Sequence, residues 1–156
     1  MTKYNTNLAA EFYVLSMLHH LDADAALTLG NKKAVDIILR NESGTTTTID
    51  VKGLEGRYDW PADNIRVEEG QHFYVLVSFE GRISDPLCPP SAWIIPANEL
   101  AQFIRKYKTR TVISRADVKA KGDSFLHAWS LVVGGKPANQ RLRRTRAVAR
   151  TADPSH

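Results

Sequence analysis

Cysteine is nearly missing from this 156-residue chain: Cys88 stands alone. One thiol excludes an internal disulfide and any multi-cysteine zinc or iron–sulfur centre, and a reducing, cytoplasmic address is the expectation. No apolar run approaches the ~20 residues that cross a bilayer, and residues 1–7 contain no apolar signal core, so neither a membrane span nor secretion is expected. The nine glycines form neither a phosphate-cradling loop nor a dinucleotide fingerprint, which argues against nucleotide-cofactor chemistry. Histidine offers no metal cluster either. The rings of His19 and His20 would diverge by roughly 100° on a helix, and His72 and His127 have no acid or cysteine at ligand spacing along the chain. Ser124 and Ser130 near His127 do not make an acyl-transfer triad. Little here needs covalent or metal support for folding, because a chain of this length buries about 68–70% of its unfolded surface.

Charge is present and unevenly spread. The net charge is +4, yet residues 136–156 hold six cations (Lys136, Arg141, Arg143, Arg144, Arg146, Arg150) against Asp153 alone, so residues 1–135 sum to −1. The expected organisation is a domain over residues 1–135 followed by a flexible basic tail over 136–156. Such a tail suits an anionic partner, nucleic acid first, to which Arg141, Arg143, Arg144 and Arg146 would add a salt-sensitive, sequence-blind term. A merely solvated terminus has the same composition.

Along the body, a first helix is expected from near Thr6 or Asn7 to Leu21-Asp22, with Leu8, Phe12, Leu15 and Leu18 as its buried stripe. A short strand around Ala25 to Leu29 runs into the Gly30-Asn31 turn, and Ala34 to Leu39 forms a second strand. Asn41-Glu42-Ser43-Gly44 turns the chain into a third, β-branched strand over Thr45 to Val51. A long polar connection from Gly53 to Gly70 precedes the strongest strand signal, Phe73 to Phe79. Pro86, Pro89 and Pro90 break the chain before a short strand at Trp93-Ile94-Ile95. Leu100, Phe103, Ile104 and Tyr107 then follow helical spacing. Thr111-Val112-Ile113 is a weak strand signal, and periodicity leaves Asp123 to Val133 open between helix and strand. The order implies an α/β single domain with a mixed central sheet flanked by helices.

Chemistry-bearing residues stand where apolar ones belong. Glu11 lies on or beside the apolar stripe of the helix, and Asp36 sits inside a Val/Ile run, where a lone buried carboxylate costs several kcal/mol unless paired. Asp50 and Lys52 leave the same face of the third strand, opposite Ile49, Val51 and Gly53. If the second and third strands form a hairpin with an odd loop such as Glu42-Ser43-Gly44, Asp36 falls directly opposite Asp50; an even loop moves it to the other face. Two such acids need a shared proton, a base between them, or a divalent cation.

The ordered set Glu11 on the helix, Ala34-Val35-Asp36 on the second strand and Asp50-Val51-Lys52-Gly53 on the third resembles the PD-(D/E)xK nuclease superfamily, which includes restriction endonucleases and archaeal Holliday-junction resolvases. Val35 replaces the usual proline and Asp50 the usual glutamate. The tripeptide alone is uninformative, since Asp117-Val118-Lys119 repeats it elsewhere. The resemblance implies a restriction-endonuclease-like fold and a metal-dependent endonuclease acting on DNA in repair, recombination or restriction, without membrane association and often as a homodimer. It implies Mg²⁺ or Mn²⁺ held by Asp36, Asp50 and the Val51 carbonyl. Lys52 would position or deprotonate the attacking water, and Glu11 would hold a further water or orient Lys52. In Arg57-Tyr58-Asp59-Trp60, Arg57 and Trp60 are candidates for contacting nucleic acid, with packing beneath a loop as the alternative. A non-catalytic nucleic-acid-binding or assembly module on the same fold is the rival reading.

Overall fold

The computed structural model describes residues 2–28, 35–63, 65 and 71–134. Its first element is the helix α1 (Lys3–His20), capped by Thr2, whose side chain accepts the Asn5 N–H, and closed at Leu21. The cap lies four residues ahead of the expected start. Five strands form the main sheet: β1 (Asp24–Leu27), β2 (Ile37–Arg40), β3 (Thr46–Leu54), β5 (His72–Ser78) and β6 (Ser91–Pro96), in the order β1-β2-β3-β5-β6. Every pairing in it is antiparallel except β3 with β5, which is parallel. The expected mixed central sheet is therefore present.

Alternation along the strands sorts the core into two layers. On one face Ile37, Leu39, Ile49, Val51, Val75, Val77 and Ile94 meet Ala10, Val14 and Leu18 of α1. The buried stripe of α1 is thus set by Thr6, Ala10, Val14 and Leu18, at i+4 steps, while Phe12 is half exposed. The sequence expectation that Phe12 is buried is wrong because the small Ala10, not the large Phe12, lets the helix settle against Gly53 of β3. A Cβ at Gly53 would sit 2.8 Å from the Thr6 carbonyl oxygen and 2.9 Å from the Ala10 Cβ.

On the opposite face Leu54, Tyr74, Leu76, Trp93 and Ile95 pack against Trp60, Leu100, Phe103, Ile113 and Val118. These last residues come from a second layer that sequence patterning only partly foresees. It contains a three-stranded antiparallel sheet of β4 (Trp60–Pro61), β8 (Thr111–Ile113) and β7 (Ile104–Lys106). Around that sheet lie a 3-10 turn over Ala97–Phe103 and a helix, α2 (Arg115–Lys121), capped by Ser114. The helix expected to run through Tyr107 stops at Phe103, where Ile104 turns extended and starts β7. The sheet is therefore flanked by α1 on one side and by this mixed layer on the other. The stretch 123–133 resolves into two 3-10 turns, Asp123–Phe125 and Trp129–Leu131. Among the described residues no helix is long and apolar enough to cross a membrane. Residues 136–156, with the arginines assigned there to DNA, lie outside the described residues.

Because the Gly53 contact leaves no room for a methyl group, Gly53→Ala should push α1 off β3 and destabilise the protein by about 1–3 kcal/mol. Urea unfolding should show a lower midpoint at unchanged slope; an unchanged midpoint would mean that α1 is free to shift.

Candidate active site

The site is built by the β2–β3 hairpin. Asn41 N–H donates to the Thr45 carbonyl at 2.8 Å and Gly44 N–H to the Asn41 carbonyl at 2.9 Å. This closes the three-residue loop Glu42-Ser43-Gly44, with Gly44 supplying the left-handed conformation (φ 85°) that such loops need. The odd loop sets the register Arg40↔Thr46 through Ile37↔Ile49, and one further regular step would bring Asp36 opposite Asp50.

At that step the ladder changes character. β2 begins only at Ile37, so Asp36 stands just ahead of the strand rather than within it. Its N–H donates to the Ile49 carbonyl at 3.0 Å, although Ile49 is already the partner of Ile37. Two residues thus oppose one, the arrangement of a β-bulge. The Asp36 carboxylate then takes over from the main chain: its Oδ2 accepts the Val51 N–H at 2.8 Å. A strand residue sends its N–H and C=O to the same edge, so the Val51 carbonyl leaves β3 toward the Asp36 side.

Ile49 and Val51 are committed to the α1 face, which turns Thr48, Asp50 and Lys52 to the other. Burial pushes the Lys52 ammonium below the usual lysine range; the charges of Asp50 and then Asp36 oppose that shift, Lys3 adds to it, and Asp63 opposes it. Asp36, Asp50 and Lys52 therefore share one electrostatic neighbourhood at the rim of the second layer, where Asp63 follows β4. Glu11 is buried on α1, which packs across the sheet from the Asp50–Lys52 face.

His72, set aside in the sequence reading, belongs to this neighbourhood. Parallel pairing places it opposite Thr48, one pleat from Asp50. Its Nδ1 lies 2.7 Å from the Thr48 hydroxyl and its Nε2 3.5 Å from Asp50 Oδ2, while its ring stands edge-on to Tyr74 at 4.9 Å. Ligand spacing along the chain cannot see a neighbour across a parallel strand pair, because the register depends on the crossover from β3 to β5.

The other candidates separate from the site. Trp60 is fully buried, its indole N–H donates to the Val77 carbonyl at 3.3 Å, and its ring meets Trp93 edge-on at 6.0 Å. It is core, as the packing alternative had it, and its candidacy as a nucleic-acid contact falls because no face is left for a base to stack on; Arg57 and Tyr58 beside it are exposed. The second acid-x-lysine is structural. It lies on α2, where Asp117 takes two hydrogen bonds from Arg105 at 2.6 and 2.8 Å and Lys119 pairs with Glu80 at 3.1 Å.

No group of three or more His, Cys, Asp or Glu is arranged to hold a metal ion among the described residues. A hard cation does not need three acidic side chains: one or two carboxylates with a carbonyl, waters and a substrate phosphate satisfy Mg²⁺. Asp36, Asp50 and the Val51 carbonyl are the oxygen donors of that kind nearest Lys52 along β2 and β3.

Neither the protein-family models nor the curated protein sequences contain a match to this chain. Among solved structures, the chain is similar to a bacterial homing endonuclease, I-Ssp6803I, with a TM-score of 0.51 at 11% sequence identity, over 97% of this chain and 100% of that one. At that identity the likeness concerns the fold: this chain has a nuclease-like α/β fold.

Lys52 supplies a test of the site's energetics. Its ammonium is disfavoured by folding, so the penalty is full below the depressed folded-state pKa and disappears as pH rises toward the ordinary value of 10.5. Lys52→Met should therefore raise the melting temperature at pH 7, with a gain that shrinks as the pH is raised. A variant less stable than wild type at pH 7 would make Lys52 a structural ion-pair member instead.

Proposed function

We propose that this protein is a metal-dependent DNA endonuclease of the PD-(D/E)xK type, hydrolysing phosphodiester bonds at Asp36, Asp50 and Lys52 in repair, recombination or restriction. The observation that carries the reading is that Asp36, just ahead of β2, and Asp50 of β3 both act on the desolvated Lys52 within a nuclease-like fold. The homing endonuclease of like fold supports it by analogy.

Asp36 and Asp50, with the Val51 carbonyl, are the groups to hold Mg²⁺ or Mn²⁺. When bound, that ion supplies Lewis-acid neutralisation of the phosphate and a lowered pKa for water. The chain's own contribution is positional. The bulge and the Val51 hydrogen bond fix one carboxylate, and His72, itself tethered to Thr48, flanks the other. Lys52 orients the attacking water toward the phosphorus, and its depressed pKa brings the amine closer to the range in which it accepts that water's proton. Held as ammonium, it faces the charge that builds on the non-bridging oxygens. The water oxygen forms the new P–O bond as the bond to the departing strand breaks, and the departing oxygen takes a proton from solvent. Glu11 enters only as a positioning group, since its helix lies across the sheet. Two copies related by a twofold axis would address the two strands of a duplex.

Incubation with plasmid and branched DNA in Mg²⁺ or Mn²⁺ tests the reading. Wild type should cut, and Asp50→Asn and Lys52→Ala should each lose at least about 10²-fold in rate. Mg²⁺ should also raise the melting temperature of wild type but not of Asp50→Asn, because an ion bound only by the folded form stabilises it. Equal cleavage by the variants would end the proposal; DNA binding without cleavage by wild type would favour the non-catalytic module.

A further inference from the structure

The body of the chain is close to neutral only in sum. Residues 104–121 carry seven lysines and arginines against the single acid Asp117, a net +6, so the remainder of residues 1–135 carries −7. Phosphate-bearing polymers will be repelled by most of this body and attracted to one part of it.

That part is a tight antiparallel hairpin and the helix beside it. β7 and β8 pair through Lys106↔Thr111, and Tyr107 N–H donates to the Arg110 carbonyl at 2.8 Å, which leaves Lys108-Thr109 as a two-residue turn. Apart from Lys121, at the end of α2, the cations of the segment divide into two sets. Arg105 is held by Asp117, and Arg115 and Lys119 by Glu80; these pairs fix the hairpin to α2 and α2 to the end of β5. Lys106, Lys108 and Arg110 are exposed and carry no ion pair among the described residues, and the ring of Tyr107 is half exposed between them. The paired cations brace a ribbon whose unpaired cations point outward.

The ribbon also stands beside the candidate active site. Ala62 N–H donates to the carbonyl of Thr111, the residue that follows Arg110, at 3.0 Å. The next residue after Ala62 is Asp63, whose charge is felt at Lys52. The base of the hairpin tip is therefore bonded one residue from the carboxylate of Asp63, which acts on Lys52.

We propose that the β7–β8 hairpin is the element through which this protein grips duplex DNA, with Lys106, Lys108 and Arg110 on the phosphates. The inference rests on the nuclease reading and specifies where its substrate is held. A two-stranded ribbon has the dimensions to lie along or enter the major groove, and three unpaired cations on it supply backbone contacts that position a duplex without reading its sequence.

The test uses the full chain and a fluorescein-labelled duplex in EDTA, so that binding is read by anisotropy with no cleavage. The variant Lys106→Gln/Lys108→Gln/Arg110→Gln should bind at least tenfold more weakly at low salt. Its plot of log K against log salt should be shallower by roughly 2–3, about 0.9 for each phosphate contact removed. Arg82→Gln, which removes a cation outside the segment, should leave the slope unchanged. Unaltered affinity and slope in a triple variant with wild-type circular dichroism and melting temperature would overturn the hairpin proposal. In that case the nuclease reading still stands or falls on Asp50→Asn, which should bind DNA as wild type does and fail to cut it. Failure of wild type itself to bind any duplex would overturn both.

Discussion

Strand β3 is the constraint on which the other parts depend. It is paired on both sides, antiparallel to β2 and parallel to β5, so its period-two alternation is transmitted to both neighbours. Ile49, Val51 and Gly53 must face α1, because α1 approaches so closely at Gly53 that no other side chain fits. Once that face is set, Thr48, Asp50 and Lys52 are delivered to the other face with no further choice. A slip of one residue would bury an acid and a lysine against Ala10 and Val14 and expose the valine and isoleucine. The polar placement of the site is thus enforced by apolar packing on the far side of the sheet.

This explains which parts of the fold and site were legible in the sequence. The hairpin of β2 and β3 was, because turn residues and β-branched alternation are local and agree with one another, while its register stayed open between an odd and an even loop. The common face of Asp50 and Lys52 followed from the same alternation. The face of α1 was legible only at Leu18 and Leu15, because the contact with Gly53 selects the small Ala10 and turns Phe12 outward. His72 was missed because its partners Thr48 and Asp50 are set by a parallel pairing that no local pattern encodes. The second layer was obscured for a similar reason. β4 is two residues long, and the apolar spacing of Leu100, Phe103 and Ile104 is met equally by a 3-10 turn that runs directly into a strand.

The bulge at Asp36 shows how an acid is kept at the edge of an apolar ladder. A carboxylate inside a Val/Ile run would be expensive if the strand continued through it. Here the strand starts one residue later, the Asp36 main chain bonds to Ile49 on one side and accepts the Thr28 N–H on the other, and the carboxylate fills the ladder position at Val51. The acid is not buried as an isolated charge: it replaces a backbone carbonyl and remains part of the sheet's hydrogen bonding. Its orientation is consequently as firm as the sheet's own register.

Lys52 poses the opposite case. Desolvation is the largest influence on its ammonium and works against it, and Asp50 and Asp36 only partly offset that influence. A surface lysine would relieve the strain by reaching water, yet Lys52 is held half buried among acids on a face where Tyr74 and Leu76 beside it are fully buried. For stability alone an apolar residue at position 52 would serve the second layer at least as well. An ammonium kept at a net cost beside two carboxylates is a departure from good packing, and such departures cluster where proteins handle charged ligands.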